Sequence, residues 1–259
     1  MSLLKALLER DLGEKPKKEA SGRRKSFLFK KGLNTIICFS SINKKNEGKL
    51  KMLNLDLNEK PTSKPILIEG FPGFGFVSTI VTEFLIKHLN AKPIGMITSN
   101  KIQPIAAIHK GQVINPMGIF YDKKNNLVII QAVTPIDGLE WEIAETIEDL
   151  CKQLKIKEVI GLEGVSSPTP TKDPKVFFFS KNKSILTKFE KLKLMPLEEG
   201  IIMGVTGALL MKSASPLSCL FVEAHSQMPD NKAAAKLIES LDKYLKLELD
   251  PAPLLDKAK

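Results

Sequence analysis

Three glutamates stand where an α/β protein most often does chemistry. The apolar runs Ile66–Glu69 (ILIE), Val159–Leu162 (VIGL) and Cys219–Glu223 (CLFVE) each have the length of a strand. A glutamate closes or follows each one: Glu69, Glu163 and Glu223, the last trailed by His225. Parallel strands align their carboxyl ends, and in open α/β sheets that rim is the ligand crevice. Three carboxylates and an imidazole gathered there can transfer protons or hold a cation. Such a set would suit a nucleoside- or phosphoester-processing enzyme. In the simpler alternative, each Glu accepts backbone N–H bonds from a neighbouring turn or helix start.

The turn after the first of these strands is Gly70, Phe71, Pro72, Gly73, Phe74 and Gly75 (GFPGFG). Glycines between a strand and a helix N-terminus can offer N–H groups to an anion. The spacing is neither GxxxxGK[ST] nor GxGxxG, Lys and Arg are absent through residue 86, and Pro72 removes a donor. A tight turn packing its aromatic rings is therefore expected, with Phe71 and Phe74 as interface anchors wherever they are exposed. Elsewhere His88 and His109 stand alone, and no HExxH, GxSxG or Cys/His metal spacing occurs. No metal and no cofactor is expected. Ser167–Pro174 (SPTPTKDP) reads as an exposed loop.

The elements that must position these residues follow from periodicity. From Pro65 onward, strand-length apolar runs alternate with amphipathic helical stretches, which predicts α/β layering. Helices are expected over 76–89, 138–154, 184–192, 205–212 and 231–245. Asp137 is expected to cap the second and Asp230 the last. Further strands are expected at 94–98, 105–108, 117–121, 127–132 and 176–180. The runs 105–108 and 117–121 lie too close for a crossover helix, so they are expected to pair antiparallel around a turn at Lys110 and Gly111. The sum is a mixed, largely parallel sheet with helices on both faces. Residues 1–64 read as a basic extension and linker, with a short helix at Ser2–Asp11 and a strand at Thr35–Ser40. Residues 65–247 read as the α/β domain, and 248–259 as a loose tail.

Charge is distributed unevenly. The chain has 259 residues and a formal net charge of +10. Met1–Lys51 holds 14 Lys+Arg against 5 Asp+Glu, whereas the remainder holds 25 against 24. A basic arm of this kind can bind phosphate backbones or an acidic protein face, and nucleic acid is the less favoured of its readings. A solvated extension is the simplest. The longest uncharged run, Gly70–Thr82, is 13 residues, short of the roughly 20 that a helical membrane span needs. Lys5, Arg10 and Asp11 interrupt the N-terminal apolar stretch, and Cys38, Cys151 and Cys219 form no CxxC pair. A cytoplasmic protein without a membrane span is expected.

Five ordered stretches carry a resemblance: Glu69–Gly75 (EGFPGFG), Thr134–Gly138 (TPIDG), Gly161–Val165 (GLEGV), Gly204–Leu210 (GVTGALL) and Glu223–Asp230 (EAHSQMPD). Together, over about residues 65–245, they resemble the proteasome assembly chaperone family in its archaeal branch. The resemblance implies a three-layer α/β/α fold similar to nucleoside phosphorylases. It also implies a non-enzymatic, protein-binding role, small homo-oligomers, and proteasome subunits or related proteins as partners. Some members dock through a penultimate Tyr at the C-terminus, which this chain, ending in Ala258 and Lys259, lacks. The interface or pocket candidates are then Glu69 through Gly75, Glu163, Gly164, Gly207, Glu223 and His225.

Overall fold

Four sequence runs build the centre of the sheet, and each is apolar on both faces. A strand buried on both sides reads as a continuous hydrophobic run, which is the mark of a parallel strand under two helical layers. The computed structural model describes residues 53–109, 112–166, 173–224 and 228–256. These residues belong to one compact unit, Met52–Lys259. Its strands are β1 (Asn54–Leu57), β2 (Ile66–Gly70), β3 (Lys92–Thr98), β4 (Ala107–His109), β5 (Gln112–Ile114), β6 (Met117–Asp122), β7 (Leu127–Ala132), β8 (Glu158–Ser166), β9 (Val176–Ser180), β10 (Met195–Pro196) and β11 (Leu217–Ala224). Nine of them form one sheet in the order β1-β3-β6-β7-β2-β8-β11-β9-β10. The central four, β7-β2-β8-β11, are parallel, and the flank β1-β3-β6-β7 is antiparallel. On the other flank β11 and β9 are antiparallel and β10 follows β9 in parallel. The mixed α/β sheet is the one that the sequence pattern predicts.

The helices are α1 (Val77–His88), α2 (Glu140–Leu154), α3 (Lys183–Lys191), α4 (Gly204–Lys212), α5 (Asn231–Leu245) and α6 (Ala252–Leu255). Side chains alternate across a strand, so β2 sends Leu67 and Glu69 to one face and Ile68 and Gly70 to the other. Leu67, Val128, Val159 and Phe221 share a core with Ile143, Ile147 and Leu150 of α2 and with Val205 and Leu209 of α4. The opposite face takes α1 and α5, which pack on each other. There a Cβ on Gly70 would sit 2.7 Å from the Ser78 carbonyl oxygen, so glycine lets α1 lie close on the strand end. Phe178 of β9, Phe189 of α3 and Tyr244 of α5 stack in series at centroid separations of 5.1 and 4.5 Å. Among the described residues no helix is long and apolar enough to cross a membrane.

Several boundaries differ from the sequence reading. Asn54–Leu57, inside the stretch read as linker, is an edge strand antiparallel to β3. Its alternate exposed and half-buried residues, NLDL, carry too short a period to stand out among Asn and Lys. Met117–Asp122 pairs with β3 and β7, and residues 107–109 instead form a small separate hairpin with 112–114. α2 starts at Glu140 with no side-chain cap, so Asp137 does not cap it. Glu140 and Glu142 place negative charge at its first turn. Asp230 does cap α5, its Oδ1 accepting from the Ala233 N–H at 2.9 Å. In the segment read as a loose tail, α6 forms and Leu254 is buried. The expected elements at 2–11 and 35–40, and most of the loop 167–174, lie outside the described residues.

Candidate functional site

Glu69 is the fourth of the five residues of β2, and alternation points it at the face covered by α2 and α4. In register with it stand Gly161 on β8 and, one strand further, Cys219 on β11, so the three form one row across the sheet. A Cβ on Gly161 would lie 2.9 Å from Glu69 Oε1, 3.1 Å from Thr206 Cγ2 and 3.3 Å from Cys219 Sγ. The missing side chain at 161 is what admits a carboxyl group into the layer. Glu163, two residues along β8, projects to the same face. The strand continues through Ser166, so Glu163 and Gly164 lie within it and not in a following loop.

Thr206, in the first turn of α4, joins the two acids. Its Oγ1 lies 2.9 Å from Glu69 Oε1 and 3.3 Å from Glu163 Oε2. Glu69 is fully buried and its second oxygen, Oε2, has no hydrogen-bond partner. Burial pushes the Glu69 carboxyl up to about 8, opposed by the Thr206 hydroxyl. Glu163 is partly buried and is likewise pushed up to about 8. Desolvation is the main cause and the Glu69 charge adds to it, while Thr206 and the Gly164 backbone oppose. Desolvation, with the two acids behind it, also holds the Cys219 thiol far above its ordinary range. No cation enters the causes of either carboxyl shift, so the pair holds on to protons at neutral pH. Among the described residues no group of three or more His, Cys, Asp or Glu is arranged to hold a metal ion.

The Gly70–Gly75 turn lies against this pair. Phe71 goes into the core, and its carbonyl accepts from Ser78 Oγ at 2.9 Å. A Cβ on Gly73 would collide with Glu163 Oε1, and one on Gly164 would collide with the Phe74 carbonyl. Gly75 has φ +62 and its Cβ would meet that of Ala224 at 3.0 Å, while its carbonyl accepts from the Asp230 N–H at 2.9 Å. The glycines therefore serve close backbone approach to β8 and β11. Pro72 is partly buried, and Phe74 is exposed.

Of the remaining sequence candidates, Glu223 and Gly207 make contacts of their own. Glu223 Oε2 accepts from the Lys175 N–H at 3.0 Å, and the Glu223 N–H reaches the Lys175 carbonyl at 3.0 Å, so this side chain fastens the entry to β9. A Cβ on Gly207 would sit 2.6 Å from the Ile202 carbonyl oxygen, which fixes the segment leading into α4. His225 lies outside the described residues. Thr206, Gly161 and Cys219 escaped the sequence reading. The signal for Gly161 was a glycine inside an apolar strand, which marks close approach of another group.

The fold and this rim define an α/β protein in which the central parallel strand β2 ends in a glycine-packed turn laid against β8 and β11. The PAC2 family model matches residues 67–259, and the chain belongs to the PAC2 family. It is similar to PbaA of Pyrococcus furiosus, described as an archaeal homolog of proteasome-assembly chaperone. The two are 30% identical with a TM-score of 0.73, covering 80% of this chain and 91% of PbaA. The uncharacterized protein MJ0106 of Methanocaldococcus jannaschii is 30% identical over 200 residues, 75% of this chain and 81% of its own. PbaB of Pyrococcus furiosus, described as an archaeal proteasome activator, is 24% identical with a TM-score of 0.70, covering 81% of this chain and 95% of PbaB. That last likeness shows the fold alone.

Proposed function

We propose that this chain is a non-enzymatic protein-binding factor of the proteasome-assembly-chaperone type. On this reading it acts as a homo-oligomer on proteasome subunits or related proteins. One observation carries it: the carboxyl-end rim presents apolar side chains to solvent. Phe74 is 37% exposed in the turn after β2, and Ile201 and Met203, in the segment entering α4, are 90% and 71% exposed. Exposed aromatic and Met side chains gathered at one end of a domain fit a protein partner. Family membership and the likeness to PbaA support the same partner class.

The enzyme alternative needs Glu69, Glu163 and Glu223 to converge, and Glu223 is engaged with Lys175 instead. Native mass measurement of the full chain, alone and mixed with proteasome α subunits, tests the proposal. An oligomer that gains mass with the subunits is expected. A monomer that forms no complex at micromolar concentration would overturn it. Retention of the full chain on RNA at low salt, lost on deleting residues 1–51, would instead assign the basic arm to nucleic acid.

A further inference from the structure

Thr206 has one hydroxyl hydrogen and touches two carboxyl groups, Glu69 Oε1 at 2.9 Å and Glu163 Oε2 at 3.3 Å. Both contacts can be hydrogen bonds at once only while at least one acid keeps its proton and donates it to Oγ1, which has a single hydrogen to give in return. With both acids ionised, one of the contacts becomes lone pair against lone pair. We propose that Glu69, Thr206 and Glu163 form a one-proton latch that holds the Gly70–Gly75 turn on β8, and that loss of the proton frees the turn and the Phe74 ring it displays.

The surroundings make the proton matter. The groups facing the pair come from four elements and the turn. β2 contributes Glu69 itself. β8 contributes Glu163, while Glu158 at the strand's other end is engaged by Ser218 and Tyr244. β11 contributes the Cys219 thiol and, beyond it, Glu223 bound to Lys175. α4 contributes Thr206, and its Lys212 is at the far end with Glu145. The turn contributes no ionisable side chain, and Asp230 beside Gly75 is the cap of α5. No positive charge among the described residues therefore stands ready to offset a second negative one, and the repulsion must be met by movement. Glu69 is sealed in its row between strands, whereas Glu163 is partly exposed, so Glu163 is the member that swings outward. Gly73 sits on Glu163 Oε1, and the Phe74 carbonyl sits on Gly164. Outward movement of Glu163 displaces that contact surface directly. Ionisation of the pair lies near pH 8, so the latch is closed at neutral pH and opens in mild alkali.

Two amides report the turn: Phe76 N–H, bonded to the Gly73 carbonyl at 3.0 Å, and Asp230 N–H, bonded to the Gly75 carbonyl at 2.9 Å. The Val159 N–H, bonded to the Pro216 carbonyl at the opposite end of the sheet, is the internal control. Amide exchange of the full chain, corrected for the intrinsic pH effect, is followed from pH 6 to 9 alongside the carboxyl resonances of 13C-labelled glutamate. Protection of Phe76 and Asp230 is expected to fall by about tenfold with a midpoint matching a glutamate titration near pH 8, while Val159 keeps its protection. In Glu163→Gln the step at Phe76 and Asp230 is expected to vanish. The wild-type titration decides the matter even where that variant does not fold. Every glutamate titrating in the ordinary carboxyl range, or protection at Phe76 and Asp230 that does not change with pH, would overturn the latch. A step of equal size in folded Glu163→Gln would overturn it as well.

Discussion

Replacing Glu69 by Gln tests the buried acid through the pH dependence of stability. A carboxyl that titrates near 8 when folded, against an ordinary value of 4.5, holds its proton more tightly in the native chain than in the unfolded one. The native state is therefore favoured most below pH 4.5. Stability is lost as pH rises from there to about 8, and levels off above. At about 1.4 kcal/mol per pH unit, the loss between the ordinary value and pH 7 is on the order of 3 kcal/mol for one such proton. Glu163, raised chiefly by its own desolvation, adds a similar loss in wild type and variant alike, so the difference between them is that of the Glu69 proton. Gln at 69 keeps an oxygen for Thr206 and has no proton to take up, but it buries an amide N–H pair where Oε2 has no partner, at roughly 1–3 kcal/mol. The two stability curves should then cross: the variant less stable than wild type near pH 5, and more stable by about 1–3 kcal/mol near pH 8. Urea unfolding of the full chain, followed by circular dichroism at constant ionic strength in half-unit steps of pH, reads this out. Parallel curves, or a wild-type stability that rises from pH 5 to 8, would refute the reasoning.

Further predictions concern the packing around the pair and its rim. Gly161→Ala forces a methyl against Glu69 Oε1, Thr206 and Cys219, so urea unfolding should show a loss of about 1–3 kcal/mol. Gly75→Ala places a side chain at φ +62 against Ala224, and a loss of about 1–2 kcal/mol in the same assay is expected. Tyr244→Phe removes the hydroxyl that contacts both Glu158 oxygens at 2.9 and 3.0 Å. About 1–3 kcal/mol of stability should go with it, and an unchanged unfolding midpoint would count against the network. Phe74→Asp should move stability by no more than about 0.5 kcal/mol, since the ring is exposed, yet weaken capture of proteasome α subunits by at least about tenfold in a titration.

The sheet was legible because Leu127–Ala132 and Cys219–Glu223 leave no polar face, and α5 was legible because Asp230 precedes a regular apolar stripe. The turn also announced itself through its glycines, and its split into a buried Phe71 and an exposed Phe74 needed only the direction of the chain. What the sequence concealed are relations across strands. The row Glu69, Gly161, Cys219 depends on the register of β2, β8 and β11, and register has no local signal along any one strand. Thr206 looked like an ordinary residue of a helix start. Its place between two acids follows from where α4 crosses the sheet. Glu223 carried the same local pattern as Glu69, a glutamate closing an apolar strand, but its neighbour is the antiparallel β9, whose entry supplies a backbone N–H.

Two glutamates of this sheet separate structural burial from the kind that costs stability. Glu158, at the start of β8, is buried and well served: Ser218 Oγ donates to it at 2.7 Å and Tyr244 reaches both of its oxygens. Glu69 is buried more completely, with one donor at 2.9 Å and one oxygen without any. A sheet built for stability alone would put an apolar side chain at 69, since an unpartnered buried polar group costs about 1–3 kcal/mol. The expense falls beneath the turn that presents Phe74, and the second acid of the pair is the residue on which that turn rests. The buried acid with an unpartnered oxygen and the exposed aromatic of the turn are thus joined through Gly73 and Glu163. A change of charge in the pair has a short, direct route to the surface offered to a partner.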